Sequence, residues 1–211
     1  GASLGVLGTL HRDLGDLKSA LPLFREALAL ADESHLGYSL HLNNLAAVLS
    51  DIGDRKAALP LHEKALALQR RTLGAKHPVV ATSLNNLAHL LHEMGDYKAA
   101  LALCKQALAI RKEVLGKRHP DYAASLGNLA LLHLELGDGK SALPLAEASM
   151  TLALAHLRDN AAAQSDRQQL AAAAAGRHRL DLRLSIRDGD VQPVAAHVLA
   201  WKGALLLRQQ Q

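Results

Sequence analysis

Apolar residues recur at three- and four-residue spacing in short blocks, and Gly-Asp steps interrupt the blocks at regular intervals. Around Gly95, the residues Leu84, Leu87, Ala88, Leu91 and Met94 fall on one face of a helix, and Ala100, Leu101, Cys104, Ala107 and Leu108 do so after the break. The spacing predicts two amphipathic helices joined by a tight turn. Gly95 suits the left-handed residue that ends the first helix, and the carboxylate of Asp96 suits the cap of the second.

The hairpin is repeated. Leu45 to Asp54 (LAAVLSDIGD), Leu87 to Asp96 (LAHLLHEMGD) and Leu129 to Asp138 (LALLHLELGD) carry Gly53, Gly95 and Gly137 at steps of 42 residues, and Leu7 to Asp16 (LGTLHRDLGD) lies 38 residues before the first of them. After each Gly-Asp comes a second matched block, opening at Lys18, Lys56, Lys98 and Lys140. Four copies are expected, the first truncated. Small residues recur where the two helices of a copy must cross: Gly8, Ala46, Ala88 and Ala130 on the first helix, Ala20, Ala58, Ala100 and Ala142 on the second.

Pro22, Pro60 and Pro144 stand inside the second block, about four residues into the expected helix, where little intrahelical hydrogen bonding is lost. His77-Pro78 and His119-Pro120 place proline near the first position of a following helix, with Gly74 and Gly116 closing the helix before. Second helices of about 18 to 20 residues result, and the first junction, lacking His-Pro and four residues, is expected to be one turn shorter.

Composition agrees with an all-α fold. The 211 residues include 46 Leu and 39 Ala but only 11 Val plus Ile, which excludes an all-β protein. The formal net charge of +4 is spread among interspersed acids with no run of five basic residues, so nucleic acid is not the favoured partner. One cysteine, Cys104, gives no intrachain disulfide, and no stretch has the length and apolarity of a membrane span, so a cytoplasmic setting with no membrane association is expected. The opening Gly1 reads as a cut from a longer chain.

The Leu-then-small pattern, the Gly-Asp turn and the later Ala-Leu resemble the tetratricopeptide repeat. The 42-residue period, with Leu-Asn-Asn-Leu-Ala and Gly-x-x-His-Pro, is similar to its kinesin-light-chain type. The position after Gly-Asp, often Tyr in that family, is Tyr97 once and Leu17, Arg55 and Gly139 elsewhere, and the fourth copy has Ser149 where others have Ala. The resemblance implies an all-α, right-handed α-solenoid of about four hairpins over residues 1–157, in copies of about 1–36, 37–77, 78–119 and 120–157, followed by a helical connector over 158–211. It implies a noncatalytic protein-interaction scaffold without cofactor or metal.

The tail departs from the repeat. Ser165 and Gln168 resemble a capping box, Asp188-Gly-Asp breaks the chain and Pro193 opens a last helix containing Trp201. The arrangement Arg167-Gln-Gln-Leu with Ala200-Trp-Lys-Gly resembles the connector before a CHAT domain, a caspase-like peptidase fold, in bacterial repeat proteins. That resemblance implies the alternative of a regulatory or sensing arm whose catalytic domain lies beyond residue 211.

Stacked hairpins make a superhelix whose first helices line a concave surface suited to a peptide or protein segment. The family resemblance assigns to that surface Asn43, Asn44, Ala47, Ser50 and Asp51 in the second copy and Asn85, Asn86, His89, His92 and Glu93 in the third, with Asn128, Leu131 and Glu135 in the fourth. The partner-binding candidates are thus Asn43, Asn44, Asn85, Asn86, His89, His92 and Asn128. An asparagine offers donors and an acceptor to a ligand backbone, or else bonds to the neighbouring repeat. His89 and His92 share a helix face, but no cysteine or patterned carboxylate completes a metal shell. His77 and His119 fit the turn between repeats, and His11 and His133 replace Leu49 and Leu91 as packing residues. Cys104 aligns with Phe24, His62 and Ala146, which reads as a core thiol, and Arg179, Arg183 and Arg187 as a solvated face.

Overall fold

The computed structural model describes residues 2–33 and 36–160 and holds, among them, eight helices and no strand. They are α1 (Ala2–Asp13), α2 (Leu17–Ala29), α3 (Leu36–Ile52), α4 (Arg55–Leu73), α5 (Pro78–Glu93), α6 (Tyr97–Val114), α7 (Pro120–Glu135) and α8 (Gly139–Asn160). Two compact units divide at residue 116. In the first, three hairpins stack in chain order, with α2 packed on α3 and α4 on α5; in the second, α7 pairs with α8. The connector residues Ser165, Gln168, Arg179, Arg183, Arg187, Pro193 and Trp201 lie outside the described residues, and with them the reading as a peptidase arm.

The turn chemistry is as the residues dictate. Gly15, Gly53, Gly95 and Gly137 all have φ between 76° and 99°, a conformation that costs glycine nothing. In the second turn the Asp54 amide reaches back to the Leu49 carbonyl at 2.8 Å, which satisfies an orphan acceptor of α3. The aspartate after each glycine then caps: Asp16, Asp54, Asp96 and Asp138 accept from the backbone amides of Ser19, Ala57, Ala99 and Ser141 at 3.0–3.2 Å. His77 and His119 cap too, each ring Nδ1 accepting from the amide two residues on, at 3.2 and 3.1 Å, ahead of a proline at the first turn.

Three expectations need correction. Each second helix begins at the residue after its aspartate, so Pro22, Pro60 and Pro144 stand sixth in their helices and each forfeits one bond, to the carbonyl of Lys18, Lys56 or Lys140. All three prolines are exposed, so water can satisfy the freed carbonyls. The first junction is shortened by more than one turn within the helix, α2 having 13 residues against 19 in α4, because the connection to α3 is itself longer. Met94 falls past the end of α5 as its C-cap and is exposed rather than part of the buried stripe.

The crossing positions are filled as their size demands. Ala20, Ala46, Ala58, Ala88, Ala100, Ala130 and Ala142 are all at most 2% exposed. Where α1 crosses α2 the pair is Gly8 and Phe24: a Cβ on Gly8 would sit 3.0 Å from the Phe24 ring. The aligned second-helix residues in later copies, His62, Cys104 and Ala146, are smaller, and there the first helix carries alanine. Gly8→Ala should therefore lower the melting temperature when Phe24 is present, since crowding of about 1–3 kcal/mol exceeds the gain of about 1 kcal/mol in helix propensity. In a Phe24→Cys background the same change should raise it; thermal unfolding that shifts the same way in both backgrounds would show that the ring does not dictate the glycine.

Candidate functional site

The first unit carries an open groove of about 520 Å³ between α3 and α5, floored by α4 and lined also by Arg12 of α1. Helical spacing places Leu40, Asn44, Ala47 and Asp51 along one wall, and Val79, Thr82, Asn86 and His89 along the other. The aligned residues Asn44 and Asn86 thus sit on opposite sides of one groove, Asn44 half-buried and Asn86 exposed. Leu40, 58% exposed, and Val79 bring apolar surface to the same groove.

Polar side chains bind the hairpins beneath it. Asn43 is 8% exposed and donates through Nδ2 to Ser83 Oγ of α5 at 2.8 Å, while its Oδ1 lies 2.8 Å from His62 Nδ1 of α4. With Nδ2 acting as donor, Oδ1 accepts, so His62 carries its proton on Nδ1. Gln69, 2% exposed, donates to Ser39 Oγ at 3.2 Å, and its Oε1 has no partner among the described residues. Nearer the rim, Ser50 Oγ donates to Glu93 Oε2 at 2.7 Å and Arg55 Nε approaches the same oxygen at 3.3 Å. Burial would raise the Glu93 carboxyl, but these donors and the positive charges nearby hold it below its ordinary value.

Of the seven candidates, Asn43, Asn44, Asn86 and His89 line the groove. Asn43 does so from below, with its amide already bonded between hairpins. Asn85 and His92 lie outside the lining, and the His92 ring packs at a tilt against Tyr97 with centroids 5.4 Å apart. Asn128 is exposed on α7 of the second unit. Ala47, Ser50 and Asp51 also line the groove; Leu40, Val79 and Thr82 were missed, although extending the Asn44 stripe one turn back and the Asn86 stripe two turns back would have found them. Gln69 and His62 come from α4 and carry no such signal. His11 and His133 are partly buried, and each ring Nδ1 stands 3.1 Å from the capping carboxylate of its own turn, Asp16 or Asp138.

One tetratricopeptide repeat model matches residues 37–113 and 79–155, and a second model of the same repeat matches residues 1–33. The chain belongs to the tetratricopeptide repeat family. Among solved structures it is similar to a putative kinesin light chain from Podosopora anserina with nearly identical TPR-like repeats, at 20% identity and a TM-score of 0.66 over 97% of this chain and 95% of that one. A single-residue variant of that protein gives 20% identity and 0.68 over 100% and 96%. BtubC (BKLC) from P. vanneervenii gives 19% identity and 0.63 over 88% and 82%. No match is found among curated proteins. At these identities the likeness concerns the fold.

Within this tetratricopeptide array, two buried groups titrate far from their ordinary range. Burial pushes the Cys104 thiol up to about 11, which leaves it protonated and unreactive in the core. Burial, with the His89 ring nearby, brings His62 down to about 4. An unfolded chain protonates His62 near its ordinary 6.5 and the folded chain does not until about 4, so stability should fall as pH drops through that window. The loss attributable to His62 is at most about 3 kcal/mol. His41, also lowered chiefly by burial, works in the same direction. Urea unfolding of wild type and His62→Cys, the residue of the third copy, should show a smaller loss between pH 7 and pH 5 in the variant; equal losses would remove His62 as the cause.

Proposed function

We propose that this protein is an interaction scaffold whose groove between α3 and α5 holds an extended segment of a partner protein. The carrying observation is the pairing of Asn44 and Asn86 on opposite walls of one open groove, with Leu40 and Val79 supplying exposed apolar surface to it. Two carboxamides can each donate to and accept from a peptide backbone whatever its side chains, and the apolar patch favours a nonpolar side chain beside them. The buried floor is neutral: His62 is deprotonated at neutral pH, and Gln69 and Asn43 are amides. A segment that places charge over the floor would be disfavoured there. Family membership supports the same reading, since tetratricopeptide arrays are generally noncatalytic scaffolds that bind protein or peptide partners. Among the described residues no helix is long and apolar enough to cross a membrane.

The reading is tested with a displayed library of random dodecapeptides selected on the purified protein. Recovered peptides should bind Asn44→Ala/Asn86→Ala about tenfold or more weakly, the equivalent of one or two hydrogen bonds. The variant should keep its melting temperature, because Asn86 is exposed and Asn44 only half-buried, and among the described residues the hydrogen bonds between these hairpins run through others, Asn43, Ser50 and Arg55 among them. Peptides that bind the double variant and wild type equally would place the site elsewhere.

A further inference from the structure

The floor of the groove carries polar groups that the repeat itself does not call for. His62 and Gln69 stand two turns apart on one face of α4, and both line the groove. The aligned places hold Phe24 and Ala31 in the first copy and Cys104 and Arg111 in the third, so the hairpin frame is built equally well on residues of quite different polarity. Gln69 is 2% exposed, and its Nε2 donates to Ser39 Oγ at 3.2 Å. Ser39 lies outside the groove lining and Gln69 within it, so the amide presents its oxygen side to the groove. That oxygen, Oε1, is shielded from solvent and has no hydrogen-bond partner among the described residues. His62 gives the proton on Nδ1 to Asn43, which leaves its Nε2 an acceptor as well.

We propose that this floor selects the bound segment by a side chain with an uncharged hydrogen-bond donor, a carboxamide or a hydroxyl, placed over Gln69; the inference rests on the groove reading above. A buried acceptor without a partner is a loss that an arriving donor repairs. Because Oε1 is already shielded, forming the bond strips water from the donor of the ligand alone. The terminal torsion of a glutamine is soft, so the small turn that brings Oε1 to a donor costs little. A carboxylate has no proton to give and would face the lone pairs of Oε1. An ammonium or guanidinium group would carry its charge into a floor of neutral buried groups, where losing its hydration outweighs one hydrogen bond.

The test reads the dodecapeptides selected from the random displayed library on wild-type protein, each then titrated by fluorescence anisotropy against wild type, Gln69→Leu and Asn44→Ala/Asn86→Ala. Peptides that need the two asparagines should share one position held by Asn, Gln, Ser or Thr. Exchanging that residue for an apolar one of similar size, Leu, Met, Ala or Val, should weaken binding to wild type about tenfold and to Gln69→Leu about twofold or less. The composition of the peptides is read on wild type, so that result stands whether or not Gln69→Leu folds. Asparagine-dependent peptides with no shared donor, or with an exchange that costs the same on Gln69→Leu, would overturn this inference and leave the groove reading intact, with water as the partner of Oε1. A shared carboxylate would overturn it too, by showing Nε2 turned to the groove, and so would a shared Lys or Arg. Peptides bound equally by the asparagine variant, or a library that yields no binder, would instead remove the groove reading and this inference with it.

Discussion

Everything in the first unit depends on how closely the two helices of a hairpin can cross. The small residues at the crossing let the backbones approach, and once they do, the larger side chains on either side have one set of neighbours each. Gly8 under Phe24 shows the constraint at its limit, because a single methyl group would meet the ring at 3.0 Å. The left-handed glycine and the capping aspartate of each turn set the angle at which the helices meet, and the crossing residues set the distance. Both are needed: a correct turn with a bulky crossing residue would splay the hairpin, and small crossing residues without the turn would leave its register free.

The repeats share this frame but not their contents. Between α3, α4 and α5 the space is filled by a buried chain of polar groups, His62, Asn43 and Ser83, whereas the aligned places in α1, α2 and α3 hold Gly5, Phe24 and His41. A Cβ on Gly5 would lie 3.4 Å from the His41 ring, so the imidazole occupies space that an asparagine at that position would need. Buried amides and hydroxyls of this kind contribute little net stability when paired but cost much when one partner is missing. They therefore fix which surfaces can meet, and they keep the stacking order of otherwise similar hairpins specific. The same burial accounts for the low proton affinity of His62 and for the unreactive Cys104 at the aligned place one hairpin later.

The surface left over follows from the stacking. In the first unit, α3 and α5 each have one side against their own hairpin, one against the second helix before them, and one open. In α3 and α5 the open sides converge on a groove with amides and apolar groups. Among the described residues no helix covers the corresponding side of α1, and Leu7 and Leu10 are exposed there whereas the aligned Leu45, Val48, Leu87 and Leu90 are buried.

The sequence alone determined whatever is local or periodic. The hairpins, their turns, the aspartate caps and the histidine-proline starts depend on residues within about five positions of one another, and the 42-residue repeat multiplied each signal. The crossing alanines were legible for the same reason, as was the burial of Cys104, through its aligned Phe24. Only the tertiary structure decided between Asn43 and Asn44. Adjacent residues on a helix differ by about 100° in direction, and which of them turns inward depends on His62 and Ser83, which lie far along the chain. Gln69 and His62 reach the groove floor from α4, a second helix that the stripes on the first helices do not mark. The proline positions were misjudged because a cap fixes a helix start to the residue, whereas periodicity locates it only to within a few. Local signals specify the pieces; burial by distant residues decides which of their faces remain to act.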